Sequence, residues 1–250
     1  MPKVALLKTA ENLIFANLAD PRPIATFSSR LNQNMSLSYG DTRNSLDNRK
    51  DFLQGLGIDF QNLVCAKQIH KGNVRYVTEQ DKGRGALSCE TSIPDADALI
   101  TDKKNLPLVV FTADCLSVFL YDPIKPAIGL VHAGWRSSKE DLTAKTLRLM
   151  QEQFNTRISD LYAGFGPAIR TCCYEVGQDF QEYFGQNVIN RGSRYYADLA
   201  GINKKQLLES GVKEKNIFDS QICTSCRNVE FFSYRKDRKD YGRIMSVIML

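Results

Sequence analysis

Leu106-Pro107-Leu108-Val109-Val110-Phe111-Thr112, Leu116-Ser117-Val118-Phe119-Leu120-Tyr121 and Ala127-Ile128-Gly129-Leu130-Val131 are the runs that decide the fold. Each is short, nearly continuous in apolar residues and bounded by breaks. That pattern suits strands of a sheet covered on both faces, because a half-exposed strand would alternate polar and apolar positions. Asp97 to Thr101 has the same character just upstream. Leu161 to Phe165 and Arg243 to Leu250 read as further strands, as do Asn12 to Leu18, Pro23 to Ser28, Leu63 to Gln68 and Asn73 to Thr78, the last two around a turn holding Lys71-Gly72. Asp81 to Pro94, rich in Gly, Ser and charge, reads as loop. Ser137 to Phe154 is expected to be a helix, with Ser137 or Ser138 as its cap and Leu142, Leu147, Leu149, Met150 and Phe154 on its apolar face. Arg43 to Leu56 has helical spacing and Gly57 as a stop. Shorter helices are expected over Gly177 to Tyr183 and Lys204 to Glu209. The mixed order predicts one α+β or α/β domain across 1–250 with a central, largely buried sheet.

Composition bounds the function. The 250 residues suffice for a substantial core; 43% are hydrophobic and 24% charged, as in ordinary globular proteins. No apolar run approaches the roughly eighteen residues of a membrane span. The first residues, Met1 to Lys8, carry too short an apolar stretch for a secretory signal, so the expected compartment is the cytoplasm. Seven cysteines, an odd number, in a chain of this size argue for reduced thiols and against a disulfide framework. A net charge of +5 without a long basic run favours a small anionic ligand over nucleic acid. The Lys/Arg/Asp alternation from Arg235 to Arg243 reads as a solvated loop. No membrane, nucleic-acid or obligate protein partner is expected.

The chain has only two histidines, His70 and His132. His70 ends Gln68-Ile69-His70, and His132 opens His132-Ala133-Gly134-Trp135-Arg136, which holds the only tryptophan. Cys115 lies between them, in Thr112-Ala113-Asp114-Cys115. All three fall at ends of expected strands, where function on a sheet scaffold collects. Two imidazoles and a thiolate would make a three-ligand metal site with a fourth position open, the arrangement of catalytic zinc. Spacing alone leaves a second reading open, in which Cys115 is a core thiol and the histidines are simply hydrogen-bonded.

A series of ordered blocks carries a resemblance. They are Gly40-Asp41 with Asn48-Arg49, Gln68-Ile69-His70, Asp97-Ala98-Leu99-Ile100-Thr101, Thr112-Ala113-Asp114-Cys115, His132-Ala133-Gly134-Trp135-Arg136, Gly166-Pro167 with Cys172-Cys173-Tyr174-Glu175-Val176, Cys223-Thr224, Phe232-Ser233-Tyr234-Arg235 and Gly242-Arg243. In these blocks the chain resembles the YfiH-like family, also called the laccase-domain or polyphenol oxidoreductase family. Members of that family are regarded as purine nucleoside phosphorylases with accompanying adenosine deaminase activity. The resemblance implies a single α+β domain with a mixed sheet, metal ligands at His70, Cys115 and His132, and purine nucleosides and phosphate as substrates. It also singles out Arg49 for phosphate. Ser137 and Ala168 depart from the family pattern, which often has Gly and Cys there.

The ligand types narrow the chemistry. Two histidines cannot serve several coppers. A single blue-copper site would want a weak axial ligand, usually Met, and no methionine lies in the ligand blocks. Zinc fits the donors better, with copper as the alternative and phenol oxidation as the function that copper would imply. Zinc-activated water could deaminate adenosine, although the usual base-deaminase signature is absent. Asp114, beside a ligand, is the candidate for proton transfer, or else a strand-end hydrogen-bond acceptor. Phosphate needs cations, with Arg49 first and Arg136 second. Two further readings stay open. One is a metal-free cysteine hydrolase or deamidase with Cys115 as nucleophile and His132 as base. The other is a non-enzymatic module with structural zinc on Cys223, Cys226, Cys172 and Cys173. Adjacent cysteines chelate one ion poorly, so these four are read as buried packing thiols near the Gly166-Pro167 loop.

Overall fold

The computed structural model describes residues 14, 15, 18, 22–238 and 242–250. The strand expected over Asn12 to Leu18 falls largely outside them, and the buried Ile14 and Phe15 form a bend. The first elements are β1 (Ile24–Phe27), α1 (Thr42–Gln54), β2 (Val64–Cys65), β3 (Val74–Tyr76) and β4 (Ala98–Thr101). Next come β5 (Leu108–Thr112), β6 (Leu116–Asp122), β7 (Ala127–Ala133), α2 (Trp135–Lys139), α3 (Leu142–Phe154) and β8 (Tyr162–Phe165). The remainder is β9 (Glu175–Val176), α4 (Phe180–Phe184), β10 (Val188–Arg191), β11 (Arg194–Ala197), α5 (Leu199–Glu209), β12 (Ile217–Asp219), α6 (Tyr234–Asp237) and β13 (Ile244–Met249).

The strands form a six-stranded mixed sheet, β12-β8-β6-β7-β4-β3, a four-stranded mixed sheet, β1-β13-β5-β2, and a small antiparallel sheet, β10-β11-β9. This is an α+β fold. The burial expected from the apolar runs is present: every residue of β6 and β7 is buried. What covers them differs on the two faces. Leu116, Val118 and Leu120 of β6 join Ala98, Ile100 and Val131 in a core closed by Leu142, Leu147 and Met150 of α3 and Leu207 of α5. Phe119, Leu99, Ile128 and Leu130 point the other way and meet Leu108, Val110, Ile244 and Ile248 of the four-stranded sheet. The helices thus flank one face, and a second sheet takes the place of helices on the other. Continuous apolar composition reports burial on both faces but not the identity of the cover.

Other expectations shift locally. The helix expected over Ser137 to Phe154 is broken at Asp141, which has φ 56°, and the Glu140 carboxylate accepts the Gly72 N–H at 2.8 Å. Neither Ser137 nor Ser138 caps it, because Gly134 precedes the first helical residue. The α1 helix begins one residue earlier than expected, capped by Asp41, whose carboxylate accepts the Asn44 N–H at 3.0 Å. Gly57 does close the turn, at φ 70°. The expected loop from Arg235 instead starts as α6, capped by the Ser233 hydroxyl, and residues 239–241 lie outside the described ones. The hairpin β10–β11 is not marked in the sequence; its strands are four residues each and mostly exposed or half-buried, too short to give a sustained apolar pattern. Among the described residues no helix is long and apolar enough to cross a membrane.

Candidate metal centre and active-site cavity

Strand register assembles the site. In β7, Ile128 and Leu130 face the second sheet, so two-residue periodicity sends His132 to the same face at the strand end. Antiparallel pairing of β4 with β7 sets Ala98 opposite Val131, which brings Asp97 opposite His132, and the His132 N–H donates to the Asp97 carbonyl at 2.7 Å. Pairing of β6 with β7 sets Leu116 opposite Ala133, and so brings Cys115 alongside Gly134. A methyl group on Gly134 would stand 3.2 Å from both the Cys115 Sγ and the His70 Cδ2. Glycine at 134 thus relieves a tight approach of the other two groups, by a few tenths of an ångström, and is not called for by its backbone angles, which are φ −79° and ψ 172°.

His70 arrives from a loop. The Gln68 side chain copies a strand residue: its Nε2 donates to the Phe111 carbonyl (2.8 Å) and its Oε1 accepts the Phe111 N–H (2.7 Å). This pins the chain to β5 two residues before His70. His70 itself has φ 59°, a left-handed conformation that is uncommon outside glycine. The Asp97 carboxylate holds that turn by accepting the N–H groups of Ile69 (3.1 Å), His70 (3.0 Å) and Lys71 (2.9 Å).

The result is that the donor atoms of His70, Cys115 and His132 lie within 4.8 Å of one another. The two imidazole rings stand edge to face, 4.7 Å between centroids. His132 is 2% exposed and its Nδ1 lies 2.8 Å from Asp97 Oδ1. That contact leaves Nε2 as the nitrogen available to the trio. Asp97 is fully buried; burial opposes its charge, but the bonds from His132 and from the Lys71 and His70 N–H groups hold it below the usual carboxylate range. Burial likewise opposes ionisation of Cys115, and the adjacent His132 and His70 outweigh it, bringing the thiol down to about 6. His132 is raised to about 9: burial works against its charge, but Cys115 and the Asp97 hydrogen bond prevail. The metal-free trio is thus poised as a thiolate beside an imidazolium.

The donor set fits zinc. Nitrogen and sulfur donors converge from three chain segments, one imidazole is oriented through its far nitrogen by a carboxylate, and the thiol already ionises readily. Asp97 had no role in the sequence reading. Its signal was its place at the head of the block Asp97-Ala98-Leu99-Ile100-Thr101, an acidic residue opening a buried strand, and nothing local linked it to His132.

The other expected residues line the same cavity, of about 740 Å³, as the trio. Asp114 has φ 88°, and both its oxygens are engaged: Oδ1 accepts the Thr224 hydroxyl and Oδ2 the Arg235 N–H, each at 2.6 Å. Asp114 thus serves as a hydrogen-bond acceptor at the end of β5. Arg49, expected as the first phosphate ligand, is 1% exposed. Its Nε donates to the Met35 carbonyl (2.8 Å) and its Nη1 to those of Gly85 (3.0 Å) and Ala86 (2.7 Å), with Phe111 4.7 Å from the guanidinium. Burial depresses its pKa, and no carboxylate among the described residues pairs with it. Arg136 is exposed and lies over the Trp135 ring at 4.4 Å. Arg235 also lines the cavity, its Nη2 donating to the Glu175 carbonyl at 2.9 Å.

Comparisons agree with this architecture. Residues 26–250 match the family model described as multi-copper polyphenol oxidoreductase laccase. Purine nucleoside phosphorylase YlmD of Geobacillus stearothermophilus is 33% identical over 225 residues, covering 86% of this chain and 82% of that protein. Adenosine deaminase RL5, from an unknown prokaryotic organism, is 29% identical over 217 residues, covering 83% of this chain and 82% of that protein. The crystal structure of the hypothetical protein YfiH of Bacillus licheniformis superposes with a TM-score of 0.87 at 29% identity, covering 91% of this chain and 92% of that one.

Proposed function

The chain belongs to the multi-copper polyphenol oxidoreductase laccase family, and from that premise we propose that it is a zinc-dependent purine nucleoside phosphorylase with adenosine deaminase activity. The observation that carries this reading is the shared cavity. It joins a His-Cys-His donor trio, arginine side chains and aromatic faces in a volume of about 740 Å³, of the size that small-ligand pockets have. The printed activities of the two curated relatives support the same substrate class. The copper chemistry in the family label is disfavoured by the residues themselves, because two histidines cannot supply several coppers.

In this reading His70, Cys115 and His132 hold the ion, and Asp97 orients His132 and fixes the His70 turn. Zinc bound there supplies Lewis acidity, polarising oxygen donors and bringing the ionisation of water toward neutral pH. Phe111, Trp135 and Tyr174 offer apolar faces to a purine, where stacking on an aromatic ring is worth roughly 1–3 kcal/mol per base. Arg136 and Arg49 offer guanidinium groups to phosphate. Arg49 has three of its donors committed to carbonyls, so Nη2 is the part it can present, whereas Arg136 can turn its whole fork. Asp114 acts as a positioning residue that holds the Cys115 turn to Thr224 and to α6. In phosphorolysis a phosphate oxygen bonds to C1′ of the ribose as the N-glycosidic bond breaks, and the base leaves with a proton. In deamination water adds at C6 of adenosine and ammonia departs.

The test is to incubate metal-quantified protein with inosine and adenosine, with and without phosphate, and to identify the products. Phosphate-dependent release of free base with ribose 1-phosphate is expected, together with inosine from adenosine. Base release that ignores phosphate would overturn the phosphorylase reading.

One observation favours a second reading. Cys115, His132 and Asp97 form a thiolate–imidazolium–carboxylate chain, the arrangement of a metal-free cysteine hydrolase or deamidase. His70 has no task in that chemistry, yet Asp97 holds its turn and its ring faces His132. Alkylation of Cys115 abolishes activity in either case; full activity in chelator-stripped protein would select the second.

A further inference from the structure

Beyond the cavity, four sulfur atoms meet. Cys172 and Cys173 lie in the turn that follows the Gly166-Pro167 loop, and Cys223 and Cys226 lie in the turn that leads toward α6. Their sulfur atoms all fall within 4.8 Å of one another. Cys226 Sγ is 3.3 Å from Cys172 Sγ and 3.3 Å from Cys173 Sγ, far outside bonding distance, so all four are free thiols. The expectation that they are buried packing groups is corrected: Cys172 and Cys226 are exposed, Cys173 is half-buried, and only Cys223 is buried. A cluster of exposed thiols gains little from apolar burial, so packing does not account for it.

From this cluster we propose a second metal site, a tetrathiolate zinc site on Cys172, Cys173, Cys223 and Cys226 that is separate from the His-Cys-His trio. Sulfurs at about 2.3 Å from one tetrahedral ion stand ~3.8 Å apart, within the span of separations seen here. The spread is too small for an iron–sulfur cluster, whose inorganic sulfurs and several irons must fit between the cysteines. The adjacency of Cys172 and Cys173, an obstacle on paper, is met by the turn itself. The N–H groups of Cys173 (2.9 Å) and Tyr174 (2.8 Å) both donate to the Arg170 carbonyl, and that fold brings the neighbouring sulfurs to the same partner.

The frame is built before any ion arrives. Ala168 and Cys223 form a parallel bridge, with the Thr224 N–H donating to the Ala168 carbonyl (3.1 Å) and the Ala168 N–H to that of Ile222 (3.2 Å). The Arg235 Nη1 donates to the Cys173 carbonyl at 3.3 Å. Ligands drawn in pairs from two separate loops, with every position filled by protein, define a structural rather than a catalytic zinc site. Its task follows from what the two loops carry. Thr224, between Cys223 and Cys226, holds Asp114 beside Cys115, and Tyr174, next to Cys173, lines the cavity. The ion staples together two loops that wall the active-site cavity.

The proposal does not depend on the reaction assigned to the cavity. The test uses zinc-loaded, desalted full-length protein, prepared under reducing conditions and analysed by native mass spectrometry and elemental analysis. It is compared with a Cys172→Ser/Cys226→Ser variant and with a His70→Ala/Cys115→Ser variant, each checked for fold by circular dichroism. About two zinc ions per chain are expected in the unaltered protein and about one in each variant. Cobalt(II) in the His70→Ala/Cys115→Ser variant should show the intense thiolate charge-transfer bands of a sulfur-rich tetrahedral site. That measurement decides the matter even if the cysteine variant fails to fold. A single ion that disappears only with Cys172 and Cys226 would support this site and sink the trio instead. A folded trio variant that takes up no zinc, an undiminished zinc content in the Cys172/Cys226 variant, or disulfides among these four in reduced preparations would overturn the proposal.

Discussion

The Asp97 carboxylate oxygen Oδ1 lies 2.8 Å from His132 Nδ1, and the same oxygen accepts the backbone N–H of His70 at 3.0 Å. One buried carboxylate therefore sets the ring orientation of one histidine and the backbone of the other. Its second oxygen takes the N–H groups of Ile69 and Lys71, so the three-residue turn at His70 closes around it. The geometry of the trio is decided by a residue that never enters it.

Replacing that carboxylate should be costly both at the metal and to the fold. In Asp97→Asn one oxygen can still serve the turn, but the charge that orients His132 is gone. Loss of such a supporting partner typically weakens metal affinity by about 10–100-fold. Zinc competition against a chromophoric chelator should register that loss, together with a fall in melting temperature, because the amide NH2 leaves at least one buried N–H without an acceptor, at about 1–3 kcal/mol. Unaltered zinc affinity would remove Asp97 from the support of the site.

Gly134 offers a test of close approach. In Gly134→Ala the new methyl group presses on Cys115 and His70 at 3.2 Å. Overpacking of this kind costs about 1–3 kcal/mol. Here the strain falls on two donors, so zinc affinity should drop while far-ultraviolet circular dichroism stays unchanged. Parent-like zinc binding would mean that the two donors have room to give way.

The metal-free protein should have a pH window. Cys115 is lowered from 9.0 to about 6, so its contribution to stability is present above the ordinary thiol value and is lost as pH falls through about 6. His132 is raised from 6.5 to about 9, so its contribution is present below the ordinary imidazole value and is lost as pH rises through about 9. The thiolate–imidazolium pair is complete between the two. Thermal melts of chelator-treated protein should show the advantage over Cys115→Ser greatest between about pH 6 and 9. The difference ultraviolet spectrum of the two proteins should show thiolate already at neutral pH. Thiolate absorbance that emerges only in alkali would contradict the pairing.

The two arginines should separate cleanly. Arg49→Ala leaves buried carbonyls of Met35, Gly85 and Ala86 without their donors, each a loss of about 1–3 kcal/mol. The chief effect should be a large fall in melting temperature. Arg136→Ala touches an exposed side chain and should leave stability within about 0.5 kcal/mol. Its effect should be a raised KM for phosphate, by about tenfold or more, as for one charge-assisted hydrogen bond. A parent-like phosphate KM in Arg136→Ala would take it out of the phosphate subsite.

Much of this molecule could be read from its linear order. The buried strands around Val110, Phe119 and Leu130 were evident because continuous apolar runs have few other uses. Histidine is scarce, so His70 and His132 stand out in the chain, and Cys115 shares their position at strand ends. The break at Asp141 was not evident, because no glycine or proline marks it, and the neighbouring Glu140 is engaged by Gly72, far away in the chain. The role of Arg49 was not evident either, since its carbonyl partners sit 14, 36 and 37 residues away.

Residue type and local periodicity act over a few positions, and so the chain alone marked the buried central strands, offered His70, Cys115 and His132 as candidate donors and carried the family resemblance. Register and loop closure act over tens of residues. They alone brought Asp97 opposite His132, pressed Gly134 against Cys115 and folded two loops so that four cysteines meet. Each of those pairings is the product of strand alignment or of loops closing between distant segments, which no single segment encodes.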